Sequence, residues 1–278
     1  MWTCPCGDID PLGITGTPAY DPDTGLVLVV AETADARHTL AGIASGAVVL
    51  RRPVPPPQGV EIAHQQRAVL TVFDGWVYVA YGGLDGDCGD YVGAVVAAPT
   101  VGTGPLRSFA VPTSREGGIW APSGGTVDDG RLLYAVGNGE STQAYDHSDS
   151  VLTLSPRLDL VDSFSPAQWA SDNEADLDLG SMGPALVGDR VLAVGKSGVG
   201  YVLVAARLGG VGGQLTEQPI CAAYGGSAVG GSTVYLPCSG GTRAVSVDAG
   251  GQSPRGGRAT VPAHGPPVVG GGAVWVAG

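Results

Sequence analysis

Charge is scarce in this sequence. Only 14% of its 278 residues are charged, against about 25% in an average soluble domain, and Lys196 is the single lysine. The formal net charge is −12. No basic stripe exists to displace counterions, which excludes a nucleic-acid-binding surface. An anionic bilayer would repel the chain. A helical bundle is disfavoured as well, because its outer faces need charged helix formers. No apolar run approaches the roughly 18 residues of a transmembrane helix; the best, such as Leu26–Ala31, are strand-sized. The opening Met-Trp-Thr-Cys-Pro-Cys has no basic n-region and no apolar h-region, so these residues do not read as a signal peptide.

Several catalytic and metal patterns are missing too. The five cysteines (Cys4, Cys6, Cys88, Cys221 and Cys238) form no CxxC and no Cys/His zinc spacing. Cys4-Pro-Cys6 is too isolated to carry a metal reading. No Gly-x-Ser-x-Gly elbow appears, so a hydrolase triad of that type is excluded. His38, His64, His147 and His264 never fall at i, i+4 around a glutamate. Gly209–Gly213 imitates a phosphate loop in composition but lacks the Lys-Ser/Thr ending.

What the chain has is glycine, 47 residues, with 21 prolines and 44% hydrophobic residues. Such apolar content is too high for a disordered chain. The combination predicts many short strands joined by glycine-rich turns. Six segments repeat one pattern: a short strand of small residues, a tight turn, then an apolar strand. The apolar strands are Leu26–Ala31, Trp76–Tyr81, Leu132–Gly137, Arg190–Gly195, Thr233–Cys238 and Ala273–Gly278. Each follows turn chemistry: Asp23-Thr24-Gly25, Asp74-Gly75, Asp129-Gly130, Gly188-Asp189, Gly230-Gly231 and Gly271-Gly272. The small-residue strands before the turns (Gly16–Tyr20, Arg67–Thr71, Ser123–Val127, Met182–Leu186, Gly225–Val229 and Gly265–Val269) suit the crowded axis of a propeller. Third strands follow at Gly93–Ala97, Ser150–Leu154, Gly200–Val204 and Thr242–Val247, and a weaker fourth at Leu160–Phe164.

The spacing therefore predicts an all-β protein, a β-propeller of four-stranded blades within one domain, residues 1–278. Its repeats fall at about 13–57, 67–112, 118–167, 178–220, 222–263 and 264–278. Five blades are nearly complete and one is half made. The expectation is a piece of a seven- or eight-bladed parent, with the hairpin from His264 to Gly278 presenting an open edge. Cys221 and Cys238 flank the fifth hairpin, and either a disulfide or two buried thiols fits them.

Specific motifs carry a family resemblance across nearly the whole chain. They are Gly13-Ile-Thr-Gly-Thr-Pro-Ala-Tyr-Asp-Pro22, Gln66–Leu70 with Gly75–Gly82, Asp87-Cys-Gly-Asp-Tyr91, Gly117-Gly-Ile-Trp-Ala-Pro122, Tyr134–Gly139, Asp178–Pro184 and Gly195–Leu203. In these the sequence resembles the pyrroloquinoline-quinone-like (quinoprotein-type) β-propeller repeat proteins of actinobacterial type, which are similar to the outer-membrane assembly propeller lipoprotein. The resemblance implies export, secreted or lipid-anchored, and hence an extracytoplasmic site. It also implies a second disulfide, Cys6 with Cys88, leaving Cys4 as the odd thiol.

Two candidate sites follow. Trp120 either stacks on a planar ligand or docks one blade on the next, and Asn138 lies on the same set of loops. The stretch 171–180 is the densest carboxylate cluster. Its Asp172, Asp176 and Asp178 are hard oxygen ligands suited to Ca²⁺, or a solvated inter-blade loop. Asp146–Asp149 is a shorter acidic loop of the same kind. The expected function is a non-enzymatic extracytoplasmic scaffold for a protein partner or small ligand, with no cofactor. The alternative is an alcohol or sugar dehydrogenase using pyrroloquinoline quinone and calcium. It lacks support from an adjacent cysteine pair or a CxxCH haem site, since neither is present.

Overall fold

In the computed structural model, residues 12–33, 35–247, 256–258, 263 and 265–277 are described. Cys4, Cys6 and His264 lie outside them. Strands dominate, and the described residues contain one seven-residue α-helix, Trp169–Ala175.

Six antiparallel hairpins grow into six successive sheets. The first has strands Ala19–Asp21, Leu26–Glu32, His38–Ala44 and Ala47–Pro53 in that order. The second is built on Thr71–Phe73, Trp76–Gly83, Ala94–Pro99 and Arg107–Ala110, with His64–Gln65 added at the end of its long strand. The third has Thr126–Asp128, Arg131–Val136, Ser150–Leu154 and Leu160–Ser165. The fourth has Ala185–Val187, Arg190–Val194, Val199–Val204 and Thr216–Pro219. The fifth has Ala228–Gly230, Thr233–Cys238, Gly241–Ser246 and Gly256–Arg258, and the sixth the hairpin Val268–Gly270 with Ala273–Trp275.

The small-residue strands are innermost, and those of neighbouring blades approach one another in chain order. Each starts about three residues later than its sequence pattern. The preceding residues bridge to the neighbouring blade instead. A Cβ on Gly16 would lie 2.4 Å from Gln66 Oε1, and one on Gly183 only 1.9 Å from Ser123 Oγ. Proline beside these glycines, as in Gly183-Pro184, cannot donate to a ladder. Thr126 Oγ1 accordingly donates to the Pro184 carbonyl at 2.7 Å, tying the third blade to the fourth. The Asp74-Gly75 and Asp129-Gly130 turns have positive φ at both residues, the geometry that matches strand twist. In the fifth hairpin the turn falls at Gly231-Ser232, one residue beyond the expected Gly230-Gly231, because Gly230 pairs with Thr233.

The core lies between blades, which is why the central strands are apolar on both faces. Val77, Val79 and Tyr81 face Leu28, Val30 and Leu40 of the first blade. The alternate residues Tyr78 and Ala80 face Leu132, Tyr134 and Val136 of the third. The same alternation continues with Leu133 and Val151 against Val191 and Ala193. Leu192 and Val194 then meet Val234 and Leu236.

Gly210–Val211 leaves the fourth repeat and pairs in parallel with Leu160–Ser165 of the third blade, lacing the two together. The helix Trp169–Ala175 replaces the loop expected over the first half of the acidic stretch. It ends where Asp176 turns left-handed.

Cys221 and Cys238 form a disulfide with Cα atoms 5.7 Å apart. The segment before the inner strand folds back beside the end of Thr233–Cys238, where Ala223 bridges to Cys238. Closing a loop of sequence separation 17, this bond is expected to contribute about 2–4 kcal/mol, so Cys238→Ser should lower the denaturant midpoint accordingly. The intact protein should weigh two protons less than its reduced form. Two alkylatable thiols at these positions in the folded, unreduced protein would contradict the bond. Cys88 is buried, and its expected partner Cys6 is not among the described residues.

The first and second blades meet at a buried imidazole. His38 is wholly enclosed, with neither ring nitrogen hydrogen-bonded. Glu32, Glu61, His64 and Tyr81 surround it. Glu61 lies 3.6 Å from Nδ1, Glu32 3.8 Å from Nε2, and the Tyr81 ring edge-on at 5.1 Å. Burial pushes the His38 pKa down to about 4, only partly offset by Glu61. A depressed imidazole stabilises the fold fully above its unfolded pKa of about 6.5, and that stability is lost as pH falls toward 4. The loss should reach about 3 kcal/mol, and His38→Leu should flatten unfolding curves measured between pH 7 and 4. An unchanged pH slope in the variant would contradict the assignment.

Candidate functional site

A cleft of about 440 Å³ opens where loops of four blades converge. The second blade supplies Gln65, Arg67 and the turn Leu84–Asp87; the third supplies Trp120 and Pro122; the fourth Asp176, Ser181 and Lys196; the fifth Tyr224 and Gly225. The turn is held from behind: Tyr91 donates its hydroxyl to Asp87 Oδ1 at 2.5 Å, and Arg115 donates to the Asp87 carbonyl.

Trp120 forms part of the wall but is largely buried. Three glycines crowd its indole. A Cβ on Gly82, Gly118 or Gly137 would come within 2.4, 2.8 or 2.3 Å of ring atoms. Its Nε1 donates to the Gly83 carbonyl at 3.0 Å. The ring therefore packs the third blade on the second. The Arg67 guanidinium carbon lies 5.9 Å from the ring centroid, on the cleft side.

The acidic stretch divides into two environments. Asp178 is fully buried and Asp176 exposed, and the Lys196 ammonium sits on both, 2.9 Å from Asp178 Oδ2. Asn138, in the amide orientation that satisfies both of its ends, donates to Asp176 Oδ1 at 3.3 Å and Asp178 Oδ2 at 3.2 Å. Asp172 is buried in the first turn of the helix. Asn173 pins that helix to the third blade, donating to Ser148 Oγ at 2.8 Å and accepting from the Gly139 amide at 3.1 Å.

Two further members of this network are not among the site residues that the sequence patterns pick out. Asp149, in the shorter acidic loop, is fully buried and accepts the Leu179 amide at 2.9 Å. Lys196 is the chain's only lysine, which is the signal that singles it out. Burial and then the neighbouring Asp178 push the Asp149 carboxyl well above the usual range. Burial also raises Asp178 and Asp172, with Lys196 opposing the rise at Asp178. Burial works against the Lys196 ammonium, but Asp178 and Asp176 outweigh it and hold the lysine charged. The expected metal ligands Asp172, Asp176 and Asp178 are thus neighbours, but a lysine ammonium occupies the position between two of them. Among the described residues no three acidic, histidine or cysteine groups converge on a cation position.

Successive antiparallel sheets, most of four strands in chain order, with the inner strands of neighbouring sheets in contact, define a β-propeller. Comparison with solved structures agrees. The chain is similar to BamB from Moraxella catarrhalis, at 17% identity and TM-score 0.50, over 82% of this chain and 56% of that one. It is also similar to the Pan2 WD40 domain of Neurospora crassa, at 11% identity and TM-score 0.53, over 90% of this chain and 68% of that one. At such identities the likeness is one of fold. It extends to two kinds of propeller alike, and so fixes the propeller without fixing the quinoprotein type. The chain spans little more than half the length of BamB. No family model and no curated protein sequence matches it. No helix among the described residues is long and apolar enough to cross a membrane.

Proposed function

We propose that this propeller is a non-enzymatic scaffold that engages a protein partner through the axial cleft, outside the cytoplasm. The observation that carries the reading is the convergence of four blades on one rigid, polar cleft. Loops positioned by a fixed scaffold are where propellers and other rigid folds carry function. Arg67 and the half-exposed Tyr224 stand on opposite blades of this cleft, residue types enriched where proteins bind proteins. The similarity to BamB, whose fold serves at the outer membrane in the family that the sequence resembles, supports the location. So does the Cys221–Cys238 bond, since disulfides persist in oxidising compartments.

The test is co-purification from the cell envelope of the producing organism. Wild type should retain a discrete protein that the double variant Arg67→Glu, Tyr224→Ser loses, while Val161→Asp on the outer rim retains it. Equal retention by all three would overturn the cleft as the binding face.

The residues fit pyrroloquinoline quinone and calcium poorly. Trp120 is sunk among glycines rather than offering an open ring face, and Asp176 and Asp178 already share the Lys196 ammonium. Calorimetry with the quinone and Ca²⁺ at micromolar concentrations is expected to show no binding heat. Saturable binding that Trp120→Phe weakens would instead favour the dehydrogenase reading.

A further inference from the structure

The cleft holds charge that its own walls leave unpaired. Lys196 is taken by Asp176 and Asp178, and Asp87 accepts the Tyr91 hydroxyl. Gln65, Arg67, Asp85 and Tyr224 line the same space, and among the described residues none of these side chains makes a hydrogen bond or an ion pair. The first three belong to the second blade, which is packed against a neighbouring blade on each face.

Arg67 is the distinctive group among them. Its guanidinium presents N–H donors in a planar fork. The Trp120 ring lies 5.9 Å below it and limits where the fork can point. Water reaches the side chain through the cleft, yet the surrounding protein pushes its pKa down. Asp85 supports its charge from a distance without closing an ion pair. A guanidinium that is held, partly desolvated and without an acceptor matches a planar carboxylate, which takes two parallel N–H bonds. The surrounding charge limits how much more negative the ligand can be. Asp85, Asp87 and Asp176 line the cleft, and the chain carries −12 overall. A phosphate dianion would meet about twice the repulsion that a carboxylate meets there.

We propose that the cleft recognises a single glutamate or aspartate side chain on an otherwise uncharged segment of the partner, its carboxylate gripped by the Arg67 fork. The proposal rests on the cleft being the docking face and adds the chemistry that the face selects. Gln65 on the second blade and Tyr224 on the fifth offer neutral donors on both sides of the cleft. They suit the main-chain carbonyls of a segment that crosses the opening and lowers one acidic side chain into it. Charge complementarity at one point, within a negative surround, makes the contact selective against polyanions.

Saturation-transfer difference NMR on the full chain tests it, with N-acetylglutamate α-amide as the probe. Wild type should bind it saturably in the millimolar range and should not bind the neutral N-acetylglutamine amide. Arg67→Lys keeps the charge but loses the fork, and should weaken binding about fivefold or more. Arg157→Lys, at an exposed turn of the third blade, should leave it unchanged. If circular dichroism shows Arg67→Lys disturbed, Asp85→Asn serves instead and should tighten binding about twofold. No saturable binding, equal binding of the neutral amide, or unchanged binding in the working variant would each overturn the proposal. So would tighter binding of N-acetylphosphoserine amide, or of N-acetylalanine with its terminal carboxylate. Photo-crosslinking from Tyr224 reports separately on the docking face. A protein captured there by a chain that does not bind the glutamate probe would sink the carboxylate and spare the scaffold; probe binding without capture would do the reverse.

Discussion

Trp120→Ala is expected to lower the free energy of unfolding by about 3–5 kcal/mol, the range for deleting a buried large aromatic side chain. The cavity it leaves cannot close easily. Its walls are the backbones of Gly82, Gly118 and Gly137, which have no side chain to move inward. The indole is also the wedge between the second and third blades, and its Nε1–H satisfies the Gly83 carbonyl. Trp120→Phe keeps most of the wedge and should cost far less. Gly137→Val attacks the same contact from the other side, because its Cβ would stand 2.3 Å from the ring. Urea unfolding of the three variants checks the order. A Trp120→Ala protein as stable as wild type would show that the ring is not a docking element.

Lys196→Met should be as damaging, about 3–5 kcal/mol near neutral pH, because it strands a buried carboxylate. Asp178 is fully enclosed, and Lys196 is its only cationic partner among the described residues. Asp178→Asn in the same background should recover much of the loss. The pH dependence has a definite sign. Without the ammonium, burial and the neighbouring aspartates raise the Asp178 carboxyl further above its unfolded value. A carboxyl raised in this way favours the fold below the unfolded pKa, and that contribution is lost as pH rises through the folded one. The Lys196→Met deficit should therefore shrink in acid and be largest above neutrality. Thermal unfolding across pH 4–8 reads both effects, and a deficit independent of pH would contradict the pairing.

The blades were legible in the sequence because each central strand is apolar on both faces and sits between punctuating glycines. Thr233–Cys238 and Ser150–Leu154 have the same ends in the sequence pattern and in the structure. The inner strands were harder to delimit. Residues such as Gly16 and Gly183 look like parts of strands, but they make contacts with a neighbouring blade instead. Trp120 stood out through its glycine-rich surroundings, although only the fold shows that those glycines and two from distant strands press on its ring. The charged network was the least legible part. Lys196 meets Asp178 from a separate loop of the same repeat, and Asp149 reaches Leu179 from the neighbouring repeat. Local periodicity holds no record of such pairings. The acidic residues of 171–180 suggest a solvated loop, yet the helix Trp169–Ala175 forms there and turns Asp172 and Asn173 inward.

The most direct measurement of the cleft as a docking face is site-specific photo-crosslinking in the producing cells. A photoreactive residue at Tyr224, in the cleft wall, is compared with one at Val161, on the outer rim, both about half exposed. The proposed function predicts one discrete crosslinked protein from position 224, lost on Arg67→Glu, and none from position 161. The same protein captured equally from both positions, or from 161 alone, would contradict it.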